Sequence, residues 1–200
     1  MSHNTWIHRG VRVLVRPLVG TSVAPNHLTT LRLLGGIGAA AAFGAGTSGW
    51  QQIGAGIFLV SMVLDRADGE LARLSGKTSP RGHAYDLIAD SLSNALAFVG
   101  IGVGYMGGAW GIWAAVMGLL AGGAITAILW MVMRVEDSQG ARAAELRGGA
   151  GFDPDDAMLV VPAATLLGGG EVLLVAAAIG APLFSLFFFW KFRTALRVSA

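Results

Sequence analysis

Four aspartates stand close together in the stretch "LDRADGELARLSGKTSPRGHAYDLIADS": Asp65, Asp68, Asp86 and Asp90. Asp65 and Asp68 are three apart and Asp86 and Asp90 four apart, so on a helix each pair shares a face. The surrounding chain is 54% hydrophobic and only 13% charged. Carboxylates gathered beside apolar segments repel one another and are costly to desolvate. A hard divalent cation relieves both costs. Oxygen ligands suit Mg²⁺ or Mn²⁺, which keep open positions for phosphate oxygens. The plainer reading is a solvated loop with salt bridges to Arg66, Arg73 and Arg81. Four carboxylates at helical spacings next to apolar runs favour the metal-centred reading.

These groups need elements to hold them. With a mean hydropathy of +0.63 and 30 glycines, the chain fits a membrane bundle better than a soluble domain. It has no cysteine, which excludes disulfides and thiolate metal sites. Six segments are apolar enough, or nearly long enough, to cross a bilayer: about 27–46, 50–75, 81–106, 109–134, a short 154–168, and 171–192. The reading is therefore an all-α polytopic membrane protein of six transmembrane helices, with 1–200 as one membrane domain. In it, 1–19 forms an interfacial helix and 27–196 the bundle. If segments two and three are antiparallel neighbours, both aspartate pairs lie at the same end.

The 14 Lys and Arg residues give the orientation. They cluster at the N-terminus (Arg9, Arg12, Arg16), around the loop between segments two and three, in the loop between four and five, and at the C-terminus, with Arg32 just inside segment one. The three remaining loops carry none. The positive-inside rule then puts both termini and the aspartates in the cytoplasm of a bacterial-type inner or plasma membrane. In residues 1–19, Trp6, Ile7, Val11, Leu14, Val15 and Leu18 can face lipid while the arginines face headgroups. No cleaved signal peptide is read at the N-terminus.

The full spacing, Asp65-x2-Asp68-Gly69-x2-Ala72-Arg73-x8-Gly82-x3-Asp86-x3-Asp90, has the form D-x2-D-G-x2-A-R-x8-G-x3-D-x3-D. All eight specified positions resemble the signature of the CDP-alcohol phosphotransferases, membrane enzymes of phospholipid synthesis. "APNHLTTLRLL", Ala24 to Leu34, is similar to that family's entry to its first span. The resemblance implies a CDP-linked lipid donor, most often CDP-diacylglycerol, a small polar alcohol acceptor and release of CMP. It implies metal ligation by Asp65, Asp68 and Asp86, with Asp90 completing a two-metal Mg²⁺ or Mn²⁺ site and acting as general base. Gly69, Ala72 and Gly82 would leave room for the nucleotide, although small residues also serve tight helix packing. Arg73 suits phosphate oxygens. Asn26 and Thr29 could bond the nucleotide, brace the Asp65 region or simply start a helix.

The acceptor is less legible. Arg134 and Arg193 could read a phosphorylated acceptor such as glycerol phosphate or inositol phosphate, or could be membrane anchors. Asp153 and Asp156, with Asp155, stand at the mouth of segment five. They could cap that helix or bind an amine or polyol hydroxyls, which leans toward an unphosphorylated or zwitterionic acceptor. A CDP-linked headgroup donor is a variant of the same chemistry. The four histidines lack metal-ligand spacing, and His83 is read as a bystander. An intramembrane prenyltransferase would need separated aspartate motifs on a longer chain. A divalent-cation carrier would place carboxylates at mid-membrane. Nothing points to nucleic acid. Dimers are common in the family, and "GLLAGGA" in segment four offers a small-residue face for one.

Overall fold

The computed structural model describes residues 6–140, 143–144 and 154–198, with the side chains of 6–9, 154–156 and 198 outside the description. The described residues form seven α-helices and no strand: α1 Trp6–Val15, α2 Pro25–Gly44, α3 Ser48–Ser75, α4 Pro80–Gly104, α5 Ile112–Gln139, α6 Val160–Leu166 and α7 Gly170–Val198. Short 3₁₀ turns precede α2 (Arg16–Leu18) and α6 (Pro154–Leu159). The sequence sets these boundaries locally. Pro25 and Pro80 open α2 and α4 at first-turn positions that need no amide hydrogen. The side chains of Thr47 and Ser79 cap α3 and α4 by accepting from the amides of Trp50 and Gly82. Gly76, at φ 68°, ends α3 in the left-handed conformation that favours glycine.

Pro80–Gly104, Ile112–Gln139 and Gly170–Arg197 are long and apolar enough to cross a membrane. The α2 helix has the 20 residues a crossing needs, but α3 spends its last turns on charged side chains. The short fifth segment is a 3₁₀ turn running into the seven residues of α6.

The aspartate-bearing helices are not direct neighbours along their length. The α2 helix packs on both α3 and α4, which touch each other little; α5 then packs on α4 and α7, while α6 lies on α3. Small residues allow this order. A Cβ on Gly100 or Gly104 of α4 would collide with the Ala40 or Phe43 carbonyl of α2. A Cβ on Gly102 would lie 2.6 Å from the Ala114 carbonyl oxygen of α5. The central core joins Phe43, Phe58, Phe98, Ile101, Val161 and Leu174 from five helices. "GLLAGGA" is spent inside the chain: Gly118 and Gly122 face Phe98 and Ala95 of α4, and Ala121 is fully buried. That face is therefore unavailable to a second copy.

The first helix also differs from the lipid-facing expectation. Val11 and Val15 are buried against Ala67 and Leu71 of α3, with Leu18 packed beside them, whereas Val13 and Leu14 are exposed. An apolar stripe suits a protein neighbour as well as it suits acyl chains, and here α3 supplies the neighbour.

Gly102→Val should destabilise the chain by about 1–3 kcal/mol through forced separation of α4 and α5. Gly123→Ala, which meets nothing within 4 Å, is the matched control. Thermal unfolding in detergent micelles checks the pair.

Candidate functional site

The end of α3 and the start of α4 converge with α2 at the four aspartates. Asp65, Asp68 and Asp86 each offer a carboxylate oxygen, and these three oxygens lie within 4.8 Å of one another. Oxygens on opposite sides of one cation, at about 2.1–2.4 Å, stand about 4.2–4.8 Å apart, so the three residues could hold a divalent ion. Asp68 is buried, and its Oδ2 accepts a 2.7 Å hydrogen bond from Thr29 Oγ1. That bond gives Thr29 a bracing role that helix initiation alone would not need. Asp90 lies outside the three. Its Oδ1 accepts from Asn94 Nδ2 at 3.0 Å and is paired with Arg32.

Arg32, counted among the cations and lying in the Ala24–Leu34 stretch that resembles the family's entry to its first span, has no partner assigned from sequence. Its side chain is 3% exposed and sits among the carboxylates. Nη1 lies 2.8 Å from Asp65 Oδ1 and 3.2 Å from Asp86 Oδ1, while Nη2 pairs with Asp90. Its backbone carbonyl accepts from Ser61 Oγ at 2.9 Å, which fixes α2 against α3. Arg32, Asp65, Asp90, Asn94, Ser61 and Arg66 line one small cavity whose apolar walls come from Phe58, Met62 and Met158.

The other motif positions fall around this centre. A Cβ on Gly69 would meet only Arg73 Nη1, at 3.7 Å. On Gly82 it would meet Ser79 Oγ at 3.0 Å and Asn26 Oδ1 at 3.4 Å. Gly69 therefore borders open space, whereas Gly82 is set closely against the side chains of Ser79 and Asn26; neither is pressed against a neighbouring helix backbone as Gly100 and Gly102 are. Asn26 thus lies beside Gly82, and Ala72 is half-buried on α3.

Arg73 donates from Nε and Nη2 to Glu70 Oε2. Glu70 is buried and takes Arg12 Nε on its other oxygen. This clasp of two arginines on one carboxylate ties α1 to the aspartate-bearing turn of α3. Glu70 occupies an unspecified position of the motif, so the motif could not reveal it. His83, read as a bystander, lies 2.9 Å from Glu136 Oε2 and links α4 to α5. Thr30 and Tyr85 hydroxyls meet at 2.9 Å and link α2 to α4.

Two of the residues considered for the acceptor are described with their side chains. Arg134 and Arg193 are exposed, over the rings of Trp130 and Trp190 at 5.4 and 5.2 Å. Both rings are themselves exposed, an arrangement typical of a membrane–water boundary. Asp153 lies outside the described residues, and Asp156 is described only as part of the 3₁₀ turn before α6.

Three helices long and apolar enough to cross a membrane, beside three aspartates placed so that they could hold a metal ion, suggest an integral membrane protein with a metal-dependent site. Residues 22–190 match the family described as CDP-alcohol phosphatidyltransferase, and the chain belongs to that family. Its members transfer a phosphate-linked group from a CDP-alcohol. The chain is also similar to the bifunctional IPC transferase and DIPP synthase of Rubrobacter xylanophilus, 33% identical over 89 residues. That match spans 44% of this chain and 19% of the relative's length.

Two substitutions test the geometry. Glu70→Ala leaves two arginines facing no carboxylate and should cost about 1–3 kcal/mol, read as a lowered thermal midpoint. Thr29→Val frees a buried oxygen of Asp68 and should weaken Mn²⁺ binding about 10–100-fold in a direct titration.

Proposed function

We propose that the chain transfers the phosphatidyl group of CDP-diacylglycerol to the hydroxyl of a small polar alcohol and releases CMP. The observation that carries this reading is the convergence of the Asp65, Asp68 and Asp86 oxygens inside the eight-position motif, with Asp90 one helical turn beyond Asp86. Bound Mg²⁺ or Mn²⁺, one ion on these three residues and a second shared with Asp90, would supply charge stabilisation for the diphosphate.

The chain's own groups do the rest. Asp90 takes the proton from the acceptor hydroxyl, Asn94 orients its carboxylate, and the acceptor oxygen attacks the phosphorus on the lipid side. The bond from that phosphorus to the bridging oxygen breaks, and CMP departs with the electron pair. Gly69, Ala72 and Gly82 give the nucleotide its clearance, Asn26 and Thr29 border it, and Arg73 faces its phosphates from the α3 side.

A lipid-linked donor is supported by a groove between α2 and α3. Its lining is Leu31, Gly35, Ile53, Ile57, Val60 and Leu64, with Gly56 and Ser61. Leu31 and Leu64 immediately precede Arg32 and Asp65, so the groove leads from the charged centre along the bundle side, as an acyl chain would. The donor's tails then stay in the bilayer while CMP and the acceptor remain in water.

The topology belongs to the same proposal: six crossings in one membrane domain, with both termini and the aspartates in the cytoplasm. In it α1 lies at the interface with Val13 and Leu14 toward lipid. Arg134 and Arg193 act as boundary anchors, which favours an unphosphorylated or zwitterionic acceptor over glycerol phosphate or inositol phosphate. A homodimer would use surfaces other than "GLLAGGA".

The test is CMP release from CDP-diacylglycerol by the purified protein with Mg²⁺ or Mn²⁺, across serine, inositol, glycerol phosphate and inositol phosphate. One acceptor should stimulate release, and Asp90→Asn should lower the rate about 10²–10⁴-fold without loss of folding. A protein that binds no cytidine nucleotide overturns the reading.

A further inference from the structure

Arg32 occupies the place where a metal-dependent diphosphate site has most need of a cation and least room for a second one. Its guanidinium pairs with Asp65 and Asp86, two of the three residues that could hold a divalent ion, and with Asp90. A divalent ion drawn to those carboxylates would sit beside a buried guanidinium of like sign. The two cations therefore compete for the same oxygens.

A second observation shows where Arg32 can go. Its Nε is buried without a hydrogen-bond partner, although a buried donor ordinarily finds one. The present pairing thus leaves the Nε donor of the guanidinium unused. That fork matches phosphate oxygens, which it can bind through two parallel hydrogen bonds.

We propose that Arg32 is a resident counter-ion. It pairs with Asp65, Asp86 and Asp90, yields Asp65 and Asp86 to an arriving divalent cation, and turns its guanidinium to the anionic diphosphate of the donor. The exchange also releases Asp90, so the candidate base becomes available only when metal and diphosphate are both in place. This rests on the metal and diphosphate reading above. Arg66 lines the same cavity, and its Nη1 donates to the Met62 carbonyl at 3.2 Å. It is unchanged in the variants below and so cancels in their comparison.

The experiment compares the full-length wild type, Arg32→Gln and Arg32→Lys in detergent micelles. Mn²⁺ alone is the first probe, followed by the spin-resonance signal of the free ion. CDP is the second, titrated calorimetrically at saturating Mn²⁺. Arg32→Gln removes the competing charge and should bind Mn²⁺ about tenfold tighter than the wild type. Its thermal midpoint should fall without metal and recover with Mn²⁺, while its CDP affinity drops about tenfold. Arg32→Lys keeps the charge without the fork. Its Mn²⁺ affinity should lie between the other two, with CDP weakened. Mn²⁺ binding by Arg32→Gln no tighter than wild type, or unchanged CDP affinity, overturns the proposal. If Arg32→Gln does not fold, Arg32→Lys carries the test, and wild-type affinities for both probes overturn it. A wild type that binds no Mn²⁺ at all overturns the underlying metal reading instead.

Discussion

Four carboxylates gathered at one end of an apolar helical bundle repel each other, the more so because Asp68 is buried among them. The Arg32 guanidinium answers that repulsion by reaching three of them at once from a different helix. The arrangement of the bundle follows from this need. The guanidinium must arrive from between α3 and α4, so α2 must stand between them. It can do so only if its backbone approaches α4 closely. The glycines of α4 that meet Ala40 and Phe43 provide that approach. Electrostatics at one end and small-residue packing along the length are thus two requirements on the same helix.

Polar pairing elsewhere follows the same economy. Thr29 and Thr30 both lie on the first turns of α2. One braces Asp68 of α3 and the other meets Tyr85 of α4. Ser61 holds the α2 backbone from the α3 side. Where such a bond is buried, as from Thr29 to Asp68 and from Ser61 to the Arg32 carbonyl, leaving the groups unpaired would be costly. The result is a site whose walls belong to three helices joined near their ends.

The chemistry was more legible in the sequence than the geometry. The aspartates and their spacing appear directly in the chain, because helical periodicity converts spacing into shared faces. All-α architecture and membrane crossing follow from hydropathy. The neighbour relation of α2, α3 and α4 does not, because hydropathy fixes depth in a bilayer but not position around the bundle. Charge counting could therefore assign Arg32 to one side of the membrane without finding its partners. Glu70 with Arg12, and His83 with Glu136, are separated by 58 and 53 residues, beyond any local pattern. Val11 and Val15 were misjudged as lipid-facing for a related reason: lipid tails and a protein groove are equally apolar.

The clasp of Arg12 and Arg73 on Glu70 makes the first helix an energetic partner of the aspartate-bearing turn of α3. Both arginines draw on one carboxylate, so their holds on it are linked. Any ligand that draws Arg73 away strengthens or weakens the grip on Arg12, and a change in the seating of α1 alters that ligand's affinity by the same free energy. The seating of the first helix and the occupation of Arg73 are, in thermodynamic terms, reciprocal.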